Sequence, residues 1–372
     1  MITSFTEGLD EGQDNIIAAL ERHDRVISIY IRNQKCLALE TFAAAMQKPF
    51  PVLRDLDLSS SAKIAPVLHK EFLGGFAPCL QSFVLNHISF PGFPRLASFA
   101  PYLASLYRLD LYDIPINGYI SPEAMATCLA SLPSLEDLFI VFRSPLSRPD
   151  RIGLPPPMRA VLPALTRFHF KGVIEYLEDL VARIDTPALF VLYMYLFMDL
   201  MFHVPQLNKF IARTERIGPY ISANITFSAT HVQTSIGRIQ LQISCKEPDW
   251  QASSMAQLYN QLSPVTSHTE SLEIRKSTPG QAWQGNGIDP TQWFELFDLF
   301  PTVQELYIHD QLRPLVARAL QGLTGERATE VLPTLRSIFF RGPSPPRRTR
   351  EDIETFIAAR QHSDHPVEVH WD

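Results

Sequence analysis

The stretch Pro51-Val-Leu-Arg-Asp-Leu-Asp-Leu58 decides the fold, because its pattern, P-x-L-x-x-L-x-L, returns along the chain. Further copies start at Pro78, Pro133, Pro163, Pro187, Pro301 and Pro333, with Val, Ile, Met or Phe in some leucine places. Leu106-Tyr-Arg-Leu-Asp-Leu111 lacks the immediate proline, Thr269-Glu-Ser-Leu-Glu-Ile274 is a weaker copy, and Val26-Ile-Ser-Ile-Tyr-Ile31 opens the series. The closing L-x-L alternates with period two, the mark of a short strand with one buried face. The earlier leucine turns inward on the approach. The proline before it stops the preceding helix and favours an extended backbone.

Helical spacing fills the intervals, at residues 40–47, 175–184, 251–262, 291–299 and 312–323. Ser121 is a helix cap with Pro122 at the first helical position, and Thr349 with Asp352 reads as a capping box before the last helix. The copies recur every 24 to 32 residues or so, the range of leucine-rich repeats or slightly longer. One short strand and one helix cannot bury their own apolar faces, whereas stacked neighbours bury a continuous core. The expected fold is therefore α/β: a leucine-rich-repeat-like solenoid, an irregular horseshoe with parallel strands on the concave face and helices on the convex face. A doubly wound sheet or an α/β barrel also alternates strand and helix, but the fixed phrase favours the solenoid. Irregularity is expected because Ser61, Ile88, Ile114 and Arg143 stand where regular repeats carry Asn or Cys. Residues 1–24 read as a short N-terminal helical cap, with a helix near 15–23. Residues 25–372 read as the repeat domain, irregular at about 215–290. There Ile225-Thr-Phe227 and Ile239-Gln-Leu-Gln-Ile243 alternate as strands without the proline phrase, as a hairpin or antiparallel edges, and 276–289 reads as a loop.

The chain has 372 residues and a formal net charge of −6. That weighs against a dedicated nucleic-acid binder, which usually shows a basic patch. The densest basic run, Arg347, Arg348 and Arg350, reads as a solvated loop leading to the last helix. Cys36, Cys79, Cys128 and Cys245 are far apart and form no CxxC, so neither a disulfide framework nor a zinc ribbon is expected. Reduced thiols fit the cytoplasm or nucleus. MITSFTEGLDEGQDN at the N-terminus lacks the apolar core of a signal peptide, and Asn224-Ile-Thr226, a glycosylation sequon, means little without one. The longest apolar run, 188–198, falls short of the roughly 20 residues of a membrane helix and reads as a fully buried strand with its exit. Neither membrane nor nucleic acid is expected as a partner.

No nucleophile elbow, H-E-x-x-H or P-loop occurs, so no enzyme and no cofactor are expected. A hydrolase on an α/β scaffold has only the alternation in its favour. His362, Asp364, His365, His370 and Asp372 crowd the C-terminus and read as an exposed polar end rather than a metal site. The period does name a candidate face. Residues flanking the last two apolar positions of each phrase point away from the core: Asp55 and Asp57, Arg108 and Asp110, Asp137 and Phe139, Arg167 and His169, Glu305 and Tyr307, Ser337 and Phe339. They are expected to be the solvated inner face. Aromatic and arginine anchors are what protein interfaces enrich, and curved arrays commonly bind there. Leu56 and Leu138, on the other face, are expected to be buried.

Longer stretches carry a family resemblance: DNIIAALERHDRV, FAAAMQKPFPVLRDLDL, GYISPEAMATCL, FRSPLSRPDR, EYLEDLVARIDTPAL, CKEPDWQASSMAQ, TEVLPTLRSIFFRG and FIAARQHSDHPVEV. Together they resemble the leucine-rich-repeat region of the expanded F-box proteins of mushroom-forming basidiomycete fungi, over nearly the whole chain. In that family an F-box usually precedes the repeats and docks the adaptor of a cullin-RING ubiquitin ligase, while the repeats select the substrate. Before Val26 there is room for one short helix only, with no leucine-proline opening and no three-helix pattern, so the F-box itself is not seen. The resemblance implies a non-catalytic protein-interaction module, the substrate-recognition part of a ubiquitin-ligase receptor. An unidentified protein partner or substrate would sit on the concave face, with the ligase adaptor as a second partner. The alternative is a free-standing repeat scaffold or decoy with no ubiquitin-ligase role. The family supplies no catalytic residues.

Overall fold

The computed structural model describes residues 2–5, 13–69, 71–90, 104–145, 158–197, 202–218, 220–245, 247–277, 289–344 and 346–371. The chain divides into two compact units, Met1–Leu192 with Lys209–Arg216, and Tyr193–Asn208 with Ile217–Asp372. Each is mixed α/β, with helices on a sheet whose pairings are mainly parallel.

In the first unit the strands β1 (Ile2–Phe5), β2 (Ser28–Gln34), β3 (Asp55–Ser60), β4 (Ser82–Asn86), β5 (Arg108–Ile114) and β6 (Asp137–Phe142) lie side by side in chain order. A two-strand pair, β7 (Ala160–Val161) with β9 (Ile184–Asp185), stands apart, and β8 (Arg167–Gly172) continues the main sheet next to β6. One hydrogen bond repeats at each step. The residue ahead of a strand donates its N–H to the carbonyl of its counterpart one strand back: Arg54 to Ile27 (2.7 Å), Gln81 to Arg54 (2.8 Å), Tyr107 to Gln81 (3.0 Å), Glu136 to Tyr107 (2.8 Å) and Thr166 to Glu136 (2.9 Å). Phe190 does the same to Thr166 (2.8 Å), which sets the start of β10 (Val191–Leu196). The helices α1 (Gln13–Leu20), α2 (Cys36–Ala45), α3 (Pro122–Leu129) and α4 (Ile174–Arg183) occupy intervals between strands.

The prolines of the repeated phrase sit inside turns, a local role more specific than the helix stop and extended entry expected of them. Leu53, Leu80, Leu135, Leu165 and Leu189 each donate N–H to the carbonyl three residues back, on Phe50, Ala77, Leu132, Leu162 and Thr186. Proline is therefore the second residue of a β-turn, where its fixed φ is favourable. The residue before the proline and the leucine after it are both buried, so each turn plugs the end of the core.

The second unit begins its sheet with an antiparallel meander, β11 (Ser222–Phe227), β12 (His231–Ile236) and β13 (Ile239–Ser244). Parallel pairing resumes from β11 to β14 (Ser271–Lys276), β15 (Glu305–His309), β16 (Ser337–Arg341) and β17 (Glu368–Trp371). Here α5 (Pro248–Gln261), α6 (Pro290–Phe297), α7 (Arg313–Gln321) and α8 (Arg347–His362) supply the helical layer. Arg360 of α8 is fully buried and donates to the carbonyls of Ala328 (2.8 Å) and Leu335 (3.1 Å), tying the helix to the turn before β16.

In both units one sheet face is dry. Leu56, Phe83, Leu109, Leu138 and Phe168 form a buried row, as do Leu272, Leu306 and Ile338. Helices cover these faces: Tyr176 of α4 packs on Phe142 (ring centroids 4.7 Å apart), and Trp293 of α6 on Phe227 (5.6 Å). Ser121 caps α3 as expected, its Oγ accepting from the Ala124 N–H at 3.3 Å.

Several local expectations need correction. Helix α8 starts at Arg347, directly after Pro346 in extended conformation. The three arginines are thus in its first turn, and Thr349 and Asp352 lie buried inside it rather than capping it. Residues 191–196 alternate, with Leu192, Met194 and Leu196 buried and Val191, Tyr193 and Tyr195 half-buried, so this strand is covered on one face only. A strand, Ile2–Phe5, precedes the first helix and pairs in register with β2. The C-terminal histidines lie partly in a final strand: the apolar alternation of Val367 and Val369 pairs Val369 with Ile338 and His370 with Phe339. Asp372 and most of the 276–289 loop fall outside the described residues. Among the described residues no group of three or more His, Cys, Asp or Glu side chains could hold a metal ion, and no described helix is long and apolar enough to cross a membrane.

Candidate interaction face

The parallel register builds the opposite face of each sheet in rows. In the first unit one row holds Ser28, Asp55, Ser82, Arg108, Asp137 and Arg167, and the next holds Tyr30, Asp57, Val84, Asp110, Phe139 and His169. The eight residues named from the period of the sequence in this unit all fall on these two rows. Their state differs from expectation in one respect. Asp57, Asp110 and Asp137 are not solvated; they retain 8, 0 and 5 % exposure. An arginine lies across each. Arg32 Nε donates to Asp57 Oδ2 at 2.8 Å. Arg108 Nε and Nη2 both donate to Asp110 Oδ2, at 3.0 and 2.7 Å. Arg167 grips Asp137 through both carboxylate oxygens. Bonds of this charge-assisted kind fix the guanidinium planes.

Burial has electrostatic consequences. It pushes the Asp110 carboxyl above its ordinary value, and the Arg108 hydrogen bond offsets only part of this. The bond to Asp110 raises Arg108 in turn. Tyr112 is pushed up to about 12, by burial first and then by Asp110. His169 is lowered by burial, with Lys171 adding to the effect, and so is neutral at pH 7. It stacks on Phe139 at 5.1 Å, and Tyr112 packs on the other side of Phe139 at 5.6 Å. An open polar groove of about 500 Å³ crosses β2 to β5, with Tyr30, Arg32 and Asp57 toward one side, Tyr107, Arg108, Asp110 and Tyr112 toward the other, and Ser82 and Val84 between.

In the second unit the open row runs Asn224, Glu273, Tyr307, Phe339, His370. Tyr307 and Phe339 stack at 4.6 Å, and Phe339 and His370 at 4.6 Å. The Arg341 guanidinium sits 4.9 Å from the Tyr307 ring centre. Tyr307 donates its hydroxyl to Glu305 (2.9 Å), and Asn224 donates its side-chain amide to Glu273 (2.8 Å). Glu273 also meets His309 Nε2 at 2.6 Å. Glu305 is exposed and Ser337 half-buried. Tyr30, Arg32, Val84, Tyr112 and His370 also stand on these faces, beyond the residues named from the period. Tyr30 and Val84 sit on the same period of two inside phrases that had been recognised. Arg32 and Tyr112 lie one alternation further along.

The ion pairs and stacks on these faces hold side chains still; they do not join a nucleophile to a base. Fixed arginines beside aromatic rings, on a sheet surface that the helices leave open, are suited to gripping another protein.

No family model matches the chain, and no curated protein matches it. Among solved structures, the chain is similar to the leucine-rich repeat-containing protein LegL7 from Legionella pneumophila, with a TM-score of 0.33 and 14 % identity over 88 % of this chain and 96 % of that one. None of these comparisons bears on F-box proteins or on fungi.

Proposed function

We propose that this protein is a non-catalytic interaction module, a leucine-rich-repeat-like solenoid that holds a protein partner on the open, concave strand face. In this reading the module acts as the substrate-recognition part of an F-box-type ubiquitin-ligase receptor in the cytoplasm or nucleus. The observation that supports the reading is the open strand face carrying Arg32–Asp57, Arg108–Asp110 and Arg167–Asp137, with Phe139 stacked on His169 and Tyr112 tilted against Phe139 beside them. Side chains ordered before binding lose less entropy on association. The family resemblance of the sequence supplies the ligase context.

The test is affinity purification of the tagged chain from its own cells beside the double variant Phe139→Ala, Arg167→Ala, read by mass spectrometry. The parent is expected to recover proteins that the variant loses. Recovery of the ligase adaptor and cullin with the parent supports the receptor role. Recovery of other proteins without them favours the scaffold or decoy. Identical recoveries from parent and variant remove the open face from the account.

A further inference from the structure

We propose that the groove across β2 to β5 receives a basic side chain, lysine or arginine, from the protein segment held on this face; the inference rests on reading the face as a protein-binding surface. Val84 lies in the row between Asp57 and Asp110. The two acidic positions are two strand spacings apart, about 9.6 Å. A guanidinium making a hydrogen bond of ~2.9 Å on either side spans about 8 Å. A cation laid over the short Val84 side chain therefore reaches toward both carboxylates.

Three features favour a cation over other occupants. Asp110 lines the groove, is fully buried, and spends both bonds from Arg108 on Oδ2. Its Oδ1 has no hydrogen-bond partner among the described residues. A buried acceptor left in that state is a cost that an incoming donor removes. The lining carries Asp55, Asp57 and Asp110 against Arg32 and Arg108, so the groove has one more acid than base. Tyr30, Tyr107 and Tyr112 also line it, and tyrosine faces attract cations. A partner carboxylate or phosphate would instead meet buried like charge at the floor, which is unfavourable. Arg32 holds Asp57 in place beforehand, whereas Asp110 is covered by Arg108, whose half-exposed guanidinium shifts aside to let the incoming donor reach Oδ1.

The test uses the full chain and fluorescein-labelled nine-residue peptide pools, random except for a central Arg, Lys, Gln or Glu, read by fluorescence anisotropy at low salt. The Arg and Lys pools are expected to bind at least about ten-fold more tightly than the Gln pool, with the Glu pool weakest and binding reduced by added salt. Val84→Lys places a fixed cation on the floor, and Asp110→Asn keeps the shape while removing the charge. Each is expected to weaken the Arg pool by about ten-fold or more, erasing its advantage over the Gln pool, with melting curves confirming that both variants fold. Preference for the Glu pool, absence of binding by every pool, or Arg-pool binding untouched by both variants overturns the inference. Equal binding of all four pools that is lost in Phe139→Ala leaves the protein-binding face standing and removes the basic side chain alone.

Discussion

Replacing Leu138 by alanine should destabilise the first unit selectively. Leu138 is the buried centre of β6, 0 % exposed, with Leu109 and Phe168 as its partners on the flanking strands. The substitution deletes three carbons, about 2.4 kcal/mol of lost transfer free energy at ~0.8 kcal/mol each. The residual cavity raises the cost toward about 5 kcal/mol, depending on how far Leu109 and Phe168 relax into it. At about 2–4 °C per kcal/mol for a unit of this size, the midpoint should drop by about 5–20 °C. Glu136, two residues earlier and exposed, is the control; Glu136→Ala should stay within about 0.5 kcal/mol. The assay is thermal unfolding followed by far-ultraviolet circular dichroism and by tryptophan fluorescence together. All four tryptophans, Trp250, Trp283, Trp293 and Trp371, belong to the second unit, so the dichroism change not shared by fluorescence reports the first. A Leu138→Ala chain that melts like the parent would mean that the dry face of the sheet has been assigned to the wrong alternation.

Three further outcomes follow from single contacts. Burial holds the Asp110 carboxyl above its ordinary value in the folded chain, so the folded state binds that proton more tightly than the unfolded one. Stability from this source is full below the ordinary value and is lost as pH rises through the raised one; melting scans from about pH 3.5 to 7 should show Asp110→Asn gaining on the parent as pH rises. Arg167 and Asp137 form a two-pronged pair over a buried carboxylate, and a double-mutant cycle of their alanine variants in urea should give a coupling of about 0.5–2 kcal/mol; additive costs would mean that the pair contributes nothing. Gly74 has φ +56°, and a Cβ there would lie 2.6 Å from Pro49 N. Gly74→Ala should therefore cost about 1–3 kcal/mol, and an unchanged melting curve would show that this turn can shift.

Much of the fold was legible because one signal recurred. P-x-L-x-x-L-x-L fixed strand positions to within a residue or two, and it named Leu56 and Leu138 as core correctly. The role of the prolines was not legible, since helix termination and the second position of a β-turn impose the same φ; only the bond from the phrase leucine back to the residue before the proline separates them. The strand His231–Ile236 carries polar residues at every other position and no proline phrase, so nothing in it stood out until its two antiparallel neighbours framed it. On the open face, period two placed the named residues in the right rows but said nothing of burial. Asp110 reads as a solvated acid in sequence and becomes a buried one because Arg108, two residues before it, folds back over it. The groove was hidden for a similar reason: Asp57 and Asp110 are 53 residues apart in sequence and become neighbours across Val84 only through the register.

The most direct test of the open face as the binding surface is site-specific photo-crosslinking in the protein's own cells. A benzophenone amino acid is placed singly at Phe139 or Tyr307 on the strand rows, and at Glu40 or Glu354 on the exposed sides of α2 and α8. A defined partner band is expected from the two strand positions and none from the two helix positions. Crosslinks from the helix positions alone, or equally from all four, would contradict it.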